Sequence, residues 1–172
     1  MRRTRAAIGT VVFFCAAPGV VAGLAPWWLT DWEMLEPFPH YTPVRSIGAV
    51  ILAGAVAFLV HSFVRFVVEG LGTPAPVAPT AHLVVGGVYR FVRNPMYLAV
   101  VSAILGQAMI LGQGVLLWYG AAIALLQAAF VRLHEEPGLR RRYGAEYDAY
   151  RDAVPAWVPR LRPWSGAGSP PA

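Results

Sequence analysis

The sequence predicts an all-α, polytopic membrane protein with about four transmembrane helices, and its composition is the first reason. Of the 172 residues, 57% are hydrophobic and only 13% are charged, and the mean hydropathy is +0.53. This composition is too apolar for a soluble domain. The second reason is that four apolar segments approach the length of about 20 residues that a helix needs to cross a membrane. We expect a single domain over residues 1–172.

The chain contains four predicted spans, which cover residues 6–29, 46–68, 95–111 and 115–131. Only three residues, Gly112, Gln113 and Gly114, separate the last two spans. So short a connection predicts a tight helical hairpin with antiparallel neighbours. Residues 1–70 then hold two N-terminal spans, and residues 71–164 form a second half that contains the hairpin.

All fourteen basic residues are arginines, and their distribution predicts the orientation. Thirteen fall before the first span, at or between the second and third spans, or after the fourth. Arg45 is the exception, in a connection that also carries Asp31, Glu33 and Glu36. Because Arg and Lys are enriched on cytoplasmic flanks, we expect both termini in the cytoplasm and the protein in a bacterial inner membrane. Four tryptophans are expected as interface anchors: Trp27, Trp28, Trp157 and Trp164.

An amphipathic helix is predicted after Pro137, on the cytoplasmic surface of the membrane. Its apolar residues recur at spacings of four, four, three and four: Leu139, Tyr143, Tyr147, Tyr150 and Val154. Arg141, Asp148 and Asp152 fall on the opposite face, which is typical of a helix at a membrane surface. The arginines at 140–142 suit lipid headgroups. Residues 165–172 are predicted to be a disordered tail.

The third span begins with a helix-start pattern. Asn94 is a favoured N-cap residue and Pro95 a favoured first helical residue. This pattern has a purely structural interpretation, but a helix N-terminus also offers N–H groups and positive potential to an anionic group. Both interpretations remain open at this point.

Two adjacent carboxylates, Glu135 and Glu136, close the fourth span. Acidic groups at a membrane boundary repel one another, so we expect at least one of them to have a cationic, amino or hydroxyl partner. A bound ligand can supply that partner through a ribose or an amine.

His61, Arg65 and Glu69 share one helical face at the end of the second span. Arg65 and Glu69 can form a structural pair, whereas His61 is the one imidazole well inside a span and is a candidate proton acceptor. Cys15 is the sole cysteine and the histidines lack metal-ligand spacing, so the sequence predicts no metal site. It also lacks the glycine-rich fingerprint of a Rossmann cofactor fold.

Three motifs in order carry a family resemblance: residues 86–97 (GGVYRFVRNPMY), 135–150 (EEPGLRRRYGAEYDAY) and 154–160 (VPAWVPR). They resemble the membrane superfamily of isoprenylcysteine carboxyl methyltransferases and phospholipid N-methyltransferases. The resemblance covers residues 83–160. Asn94 departs from the ArgHisPro pattern of the carboxyl methyltransferases and is similar to the phospholipid enzymes, while Ala99 replaces a customary glycine.

The resemblance implies that the second half binds S-adenosylmethionine on the cytoplasmic side, and that a lipid-like substrate arrives laterally from the bilayer. It implies no nucleic-acid partner. Carried over by position, the cofactor-binding residues are Leu83, Gly86, Tyr89, Arg93, Asn94, Pro95, Tyr97, Glu135, Glu136, Tyr143, Tyr147 and Tyr150.

The acceptor stays open between two chemistries, with a phospholipid amine slightly favoured over an isoprenylcysteine-type carboxylate. An ammonium group must lose a proton before it attacks, for which His61 or Glu69 is the candidate. A carboxylate needs no base, but Arg132 can orient it. Two other functions remain as alternatives: a membrane NADPH-dependent sterol-type reductase, and a non-enzymatic helix bundle that binds lipid or a partner protein.

Overall fold

The computed structural model describes residues 17–70 and 83–166, without the side chains of 66–70. These residues form helices and irregular connections and contain no β-strand, which agrees with the predicted all-α class. Three expectations lie outside them in whole or in part: the beginning of the first predicted span, the middle of the connection between the second and third, and most of the predicted tail.

The helices are numbered in chain order: α1 (Ala25–Thr30), α2 (Thr42–Gly70), α3 (Pro95–Leu111), α4 (Gly114–Phe130), α5 (Glu136–Tyr143) and α6 (Ala145–Ala153). Two π-helical turns continue the regular helices, Val20–Leu24 before α1 and Val131–Glu135 after α4. A short 3₁₀ helix, Gly87–Arg90, precedes α3.

The described residues contain two helical stretches long and apolar enough to cross a membrane, fewer than the four predicted spans. These are Thr42–Arg65 and the continuous stretch Gly114–Tyr143. The third predicted span is apolar, but its 17 residues give a length of about 26 Å, short of the roughly 30 Å of a hydrocarbon core. The first predicted span is described only from residue 17 onward, and there as a π-helical turn leading into the short α1.

Helices α2 and α3 approach closely because each has a glycine at their contact. A Cβ added at Gly48 would lie 2.7 Å from the Met109 Cβ and 2.8 Å from the Gly106 carbonyl oxygen. Small residues let helix backbones approach in this way inside a membrane, where packing rather than water exclusion drives association. Beyond the contact, Leu59 of α2 and Ile104 of α3 belong to the main apolar core.

The π-helical turn Val20–Leu24 exposes two carbonyl groups, which side chains from the hairpin satisfy. Pro26 has no N–H group, so it cannot donate to Ala22 in an α-helical pattern or to Val21 in a π-helical pattern. Gln107 instead donates to the Ala22 oxygen at 2.7 Å, and Tyr119 donates to the Val21 oxygen at 2.8 Å. The first helix is thereby fixed to both α3 and α4.

The predicted hairpin of α3 and α4 is confirmed, and the end of α3 is satisfied by the connection that follows α1. Gly112 has a φ of 69°, and a Cβ added there would lie 2.5 Å from the Leu35 oxygen. The Leu35 N–H donates to the Leu111 oxygen at 2.7 Å, and Arg45 Nε donates to the Ile110 oxygen at 3.0 Å. Among the arginines that the structure describes, Arg45 lies at this end of the helices, and it caps α3.

The prediction of one amphipathic helix after Pro137 is wrong in two respects. The chain does not begin a new helix there, because the π-helical turn carries α4 directly into α5. The amphipathic stretch is also divided at Gly144, whose φ of 53° and ψ of −127° end α5 and start α6. The expected apolar face survives this break, since Tyr147, Tyr150 and Val154 are all buried.

We predict that Gly112→Ala destabilises the protein by about 1 to 2 kcal/mol, because the left-handed backbone is unfavourable for an L-residue and the added Cβ meets Leu35. Gly114→Ala is the matched control, since a Cβ at this first residue of α4 meets nothing within 4 Å. Thermal unfolding in detergent, followed by circular dichroism, measures both variants. Equal melting temperatures for the two variants would contradict the prediction.

Candidate active site at the ends of the hairpin helices

The segment before α3 and the segment after α6 lie side by side at the arginine-rich end of the helices. We call residues 154–164 the C-terminal strap. Three backbone hydrogen bonds join it to the segment before α3: Arg93 N to Pro155 O at 3.0 Å, Arg160 N to Phe91 O at 2.9 Å and Trp164 N to Arg90 O at 3.0 Å. Two chain segments 62 to 74 residues apart in sequence thus form one platform below the hairpin.

Arg93 is the centre of the contacts that hold this platform to the helices. Its NH1 group donates to Glu136 Oε1 at 2.7 Å and to the Tyr147 hydroxyl at 3.0 Å, while its Nε donates to the Val154 oxygen at 2.9 Å. The side chains of Arg93 and Glu136 are only 11% and 16% exposed. Charged groups so poorly hydrated require each other, so this ion pair fixes α5, α6 and the strap relative to α3.

Glu135 has a different partner from Glu136. The Tyr97 hydroxyl donates to Glu135 Oε2 at 2.9 Å, and the Tyr97 ring lies 6.4 Å, centroid to centroid, from the ring of Trp157 in the strap. The two adjacent carboxylates therefore have different kinds of partner, as expected from their repulsion. Glu136 pairs with Arg93 and, at 3.8 Å, with Arg151, whereas Glu135 has a hydroxyl partner. Glu135 and Tyr97 are both only half-buried.

The π-helical turn explains how both carboxylates reach the start of α3. A π-helical turn closes at i+5 rather than i+4, so the fourth and fifth residues after Val131 both lie near its side of the helix. Val131 is buried, and these two residues are Glu135 and Glu136. In an unbroken α-helix the fifth residue after Val131 would lie about 140° away from it, on the far side of the helix.

Asn94 and Pro95 occupy the N-cap and first helical positions of α3, as the sequence predicts. The Asn94 side chain makes no capping hydrogen bond, and its Nδ2 instead donates to the Ala156 oxygen at 3.2 Å. The predicted N-cap position of Asn94 is confirmed, but its side chain binds the strap, which offers this buried amide a carbonyl acceptor. Asn94 therefore joins the platform to α3.

Several of the predicted cofactor residues lie under the platform as a packed cluster. The Tyr150 hydroxyl donates to the Tyr89 oxygen at 2.7 Å. Burial raises the pKa of Tyr147, and the Glu136 carboxylate raises it further; burial also raises the pKa of Tyr150. Both side chains are thus neutral hydroxyl groups at physiological pH. The cluster comprises Leu83, Val85, Leu139, Tyr143, Tyr147, Tyr150, Ala153, Val154 and Trp164.

Comparison with protein families gives a match over residues 44–146, more than half of the chain, to the family described as phospholipid methyltransferase. The chain belongs to the phospholipid methyltransferase family. Comparisons with curated proteins and with solved structures give no significant match. The family is one of membrane methyltransferases that act on lipid, in keeping with the long apolar helices. The match also includes α2, for which the sequence motifs gave no resemblance.

Of the residues predicted for the acceptor side, His61 lies beside the 3₁₀ helix that precedes α3. A Cβ added at Gly87 would lie 3.1 Å from His61 Nε2 and 2.8 Å from Arg65 Nε. Gly87, with a φ of 58°, was missed by sequence reasoning, although the glycine pair at 86–87 was a visible signal. Arg132 is exposed in the π-helical turn.

Two further expectations for the site have different outcomes. Glu69 lies near the end of α2, and its side chain lies outside the described residues, so its predicted role and its pairing with Arg65 stay predictions. Among the residues that the structure describes, no group of three or more His, Cys, Asp or Glu side chains is arranged to hold a metal ion.

We predict that Glu136→Ala destabilises the protein by about 3 kcal/mol, because it leaves the Arg93 charge buried without a counter-charge. Asp148→Ala is the matched control. It removes an ion pair of similar length, 3.1 Å, whose partners are 63% and 37% exposed, and such a pair contributes less than about 1 kcal/mol. Melting temperatures in detergent compare the two. A loss for Asp148→Ala as large as that for Glu136→Ala would show that the Arg93 pair has no special role.

Proposed function

We propose that this protein is an integral-membrane methyltransferase that uses S-adenosylmethionine to methylate a lipid-like acceptor, with a phospholipid amine favoured. The observation that carries the proposal is that the two carboxylates have different partners. Glu136 is neutralised by Arg93, whereas Glu135 is held by a hydroxyl group at the half-buried edge of the platform. Family membership supports the reaction class, and the geometry supports a nucleoside-like ligand at Glu135.

The residues around Glu135 suit the chemistry of this cofactor. S-adenosylmethionine carries an ammonium group and a ribose diol, which are hydrogen-bond donors, and an adenine ring. Glu135 Oε2 accepts from Tyr97, and a carboxylate, with about four lone-pair sites on its two oxygens, can accept further hydrogen bonds. The rings of Tyr97 and Trp157 offer an aromatic surface beside this acceptor. We therefore assign Glu135, Tyr97 and Trp157 to hold the cofactor.

S-adenosylmethionine would supply a methyl group on a positively charged sulfonium sulfur, and the neutral thioether S-adenosylhomocysteine would be the leaving group. The chain has to align the acceptor with the methyl group and exclude water, and no nucleophilic side chain is required. The ion pair of Arg93 with Glu136 keeps the edge of the platform fixed, since it connects α3 with α5 and, through Val154, with the strap. The residues predicted to bind the cofactor but buried in the packed cluster, such as Tyr147 and Tyr150, support the site from below.

His61 is the candidate proton acceptor for an amine substrate. An ammonium headgroup has no lone pair, so its proton must move before nitrogen can attack. His61 is exposed at the platform end of α2, with its Nε2 beside Gly87, and in the neutral form this nitrogen can take the proton. Glu69 lies about two turns further along the same helix. If the acceptor is a carboxylate, no base is needed and Arg132 is the candidate for orienting it.

The proposed site faces the cytoplasm. It lies where α3 begins and α4 ends, beside Arg93 and Arg132, and the arginine bias supports a cytoplasmic position for this end. At the other end Arg45 is bound to the Ile110 oxygen and paired with Glu36. A lipid headgroup at the cytoplasmic membrane surface is then level with Glu135.

We predict that the detergent-solubilised protein binds S-adenosylhomocysteine and not NADPH, and that Tyr97→Phe weakens this binding about tenfold. The variant loses the hydrogen bond that orients Glu135, and a hydrogen bond to a charged group is worth roughly 1.5 to 3 kcal/mol. Isothermal titration calorimetry measures both ligands.

Tyr119→Phe is the matched control for Tyr97→Phe, because it also removes one hydroxyl, bonded to the Val21 oxygen at the opposite end of α4. Its affinity is expected to equal that of the wild type. Binding of NADPH without binding of S-adenosylhomocysteine would indicate a reductase and contradict the methyltransferase proposal. Unchanged affinity of Tyr97→Phe for S-adenosylhomocysteine would show that Tyr97 is not part of the site.

We predict that turnover of a phospholipid amine rises with pH through the pKa of the amine or its base, and that His61→Ala lowers kcat without weakening S-adenosylhomocysteine binding. His40→Asn is the control, since His40 lies at the other end of the helices and asparagine tolerates its φ of 63°. Initial rates across neutral pH measure the effect. A flat profile together with full activity in His61→Ala would favour a carboxylate acceptor.

A further inference from the structure

The C-terminal strap combines firm attachment with exposed apolar side chains. Besides the three backbone hydrogen bonds to the segment before α3, Arg90 Nε donates to the Trp164 oxygen at 2.7 Å and Arg160 NH1 donates to the Ala153 oxygen at 2.7 Å. Yet Val158 is 74% exposed and Leu161 is 99% exposed. The strap has no regular helix or strand, but its hydrogen bonds hold these two apolar side chains on the surface. Contact of apolar side chains with water is unfavourable, so their exposure calls for an explanation.

The tryptophans predicted as anchors on this side have other contacts. The Trp164 ring packs on Tyr150 at 5.3 Å between centroids, and Trp157 lies against Tyr97. Both are half-buried in the protein. The exposed apolar surface of the strap is therefore provided by Val158 and Leu161 instead.

The position and charge of the strap suit one occupant, an anionic lipid surface. The strap is bonded to residues 90–94, directly before α3 enters the apolar part of the protein, so it lies level with the end of the hairpin. The exposed apolar surface of α4, which includes Leu125, Leu126 and Phe130, continues toward this end. The strap has no acidic residue, and Arg162 is exposed beside Leu161. Apolar side chains flanked by arginine are typical of segments that lie in the headgroup region.

We propose that the C-terminal strap is a membrane-inserted anchor, in which Val158 and Leu161 enter the headgroup boundary of the bilayer and Arg162 binds lipid phosphate. Trp157 precedes Val158 and contacts the Tyr97 ring. The inserted strap thus fixes the depth of the Tyr97 and Glu135 pair relative to the lipid headgroups. The anchor itself does not depend on the proposed methyl transfer.

The test is a fluorescent probe at position 161. A single-cysteine protein, Leu161→Cys in a Cys15→Ser background, is labelled with NBD and reconstituted full length in phosphatidylcholine vesicles that contain phosphatidylglycerol. We expect blue-shifted emission and at least about twofold more quenching by spin-labelled lipid than at a control site. The control is Glu146→Cys in the same background, because Glu146 is exposed on α6 and acidic.

Two results would overturn the proposal. One is an NBD emission maximum at position 161 that shows no blue shift relative to the probe at position 146. The other is quenching of the position 161 probe by a spin label on a second copy of the chain but not by spin-labelled lipid, which would identify a dimer contact. Adding Arg162→Glu to the labelled protein is expected to reduce lipid quenching in the anionic vesicles only. None of these measurements requires the cofactor or turnover, so they are independent of the proposed activity.

Discussion

The ion pair between Arg93 and Glu136 is the interaction on which the rest of the site depends. It joins Arg93, two positions before α3, to the first residue of α5, and Arg93 also binds Tyr147 and the start of the strap. Each of these groups would be costly to bury alone. Together they satisfy one another, so an irregular platform acquires a single arrangement at the end of a helical hairpin.

The hairpin was predictable because its signals are local. Gly112 and Gly114 separate two apolar runs, and no distant contact is needed to see that the chain must turn there. The π-helical turn and the break at Gly144 were not predictable in the same way. A π-helical turn leaves the hydrophobic pattern almost unchanged, and a positive φ at a glycine is only one of the conformations that glycine accepts. Tertiary contacts with α3 and the strap determine whether the helix forms a π-helical turn and which conformation Gly144 adopts.

The sequence predicted which residues come together in the candidate site more accurately than it predicted the contacts that each residue makes. The motifs do bring Arg93, Tyr97, Glu135 and Glu136 together. Asn94 instead binds the strap, because its preferred role as a cap competes with a carbonyl that comes from 62 residues further along the chain. Spacing reveals which residues share a face, but a partner supplied by a distant segment leaves no periodic signal.

The two carboxylates illustrate how a membrane protein can keep one charged group available for a ligand. If both glutamates were paired with arginine, the site would be a closed structural cluster with no acceptor for a ligand. If neither were paired, their repulsion at the membrane boundary would favour protonation of one. Pairing only Glu136 with a cation and giving Glu135 the Tyr97 hydroxyl fixes the second carboxylate while leaving acceptor capacity on it. The adjacent glutamates are thus chemically different, and the extra residue of the π-helical turn lets both reach their partners.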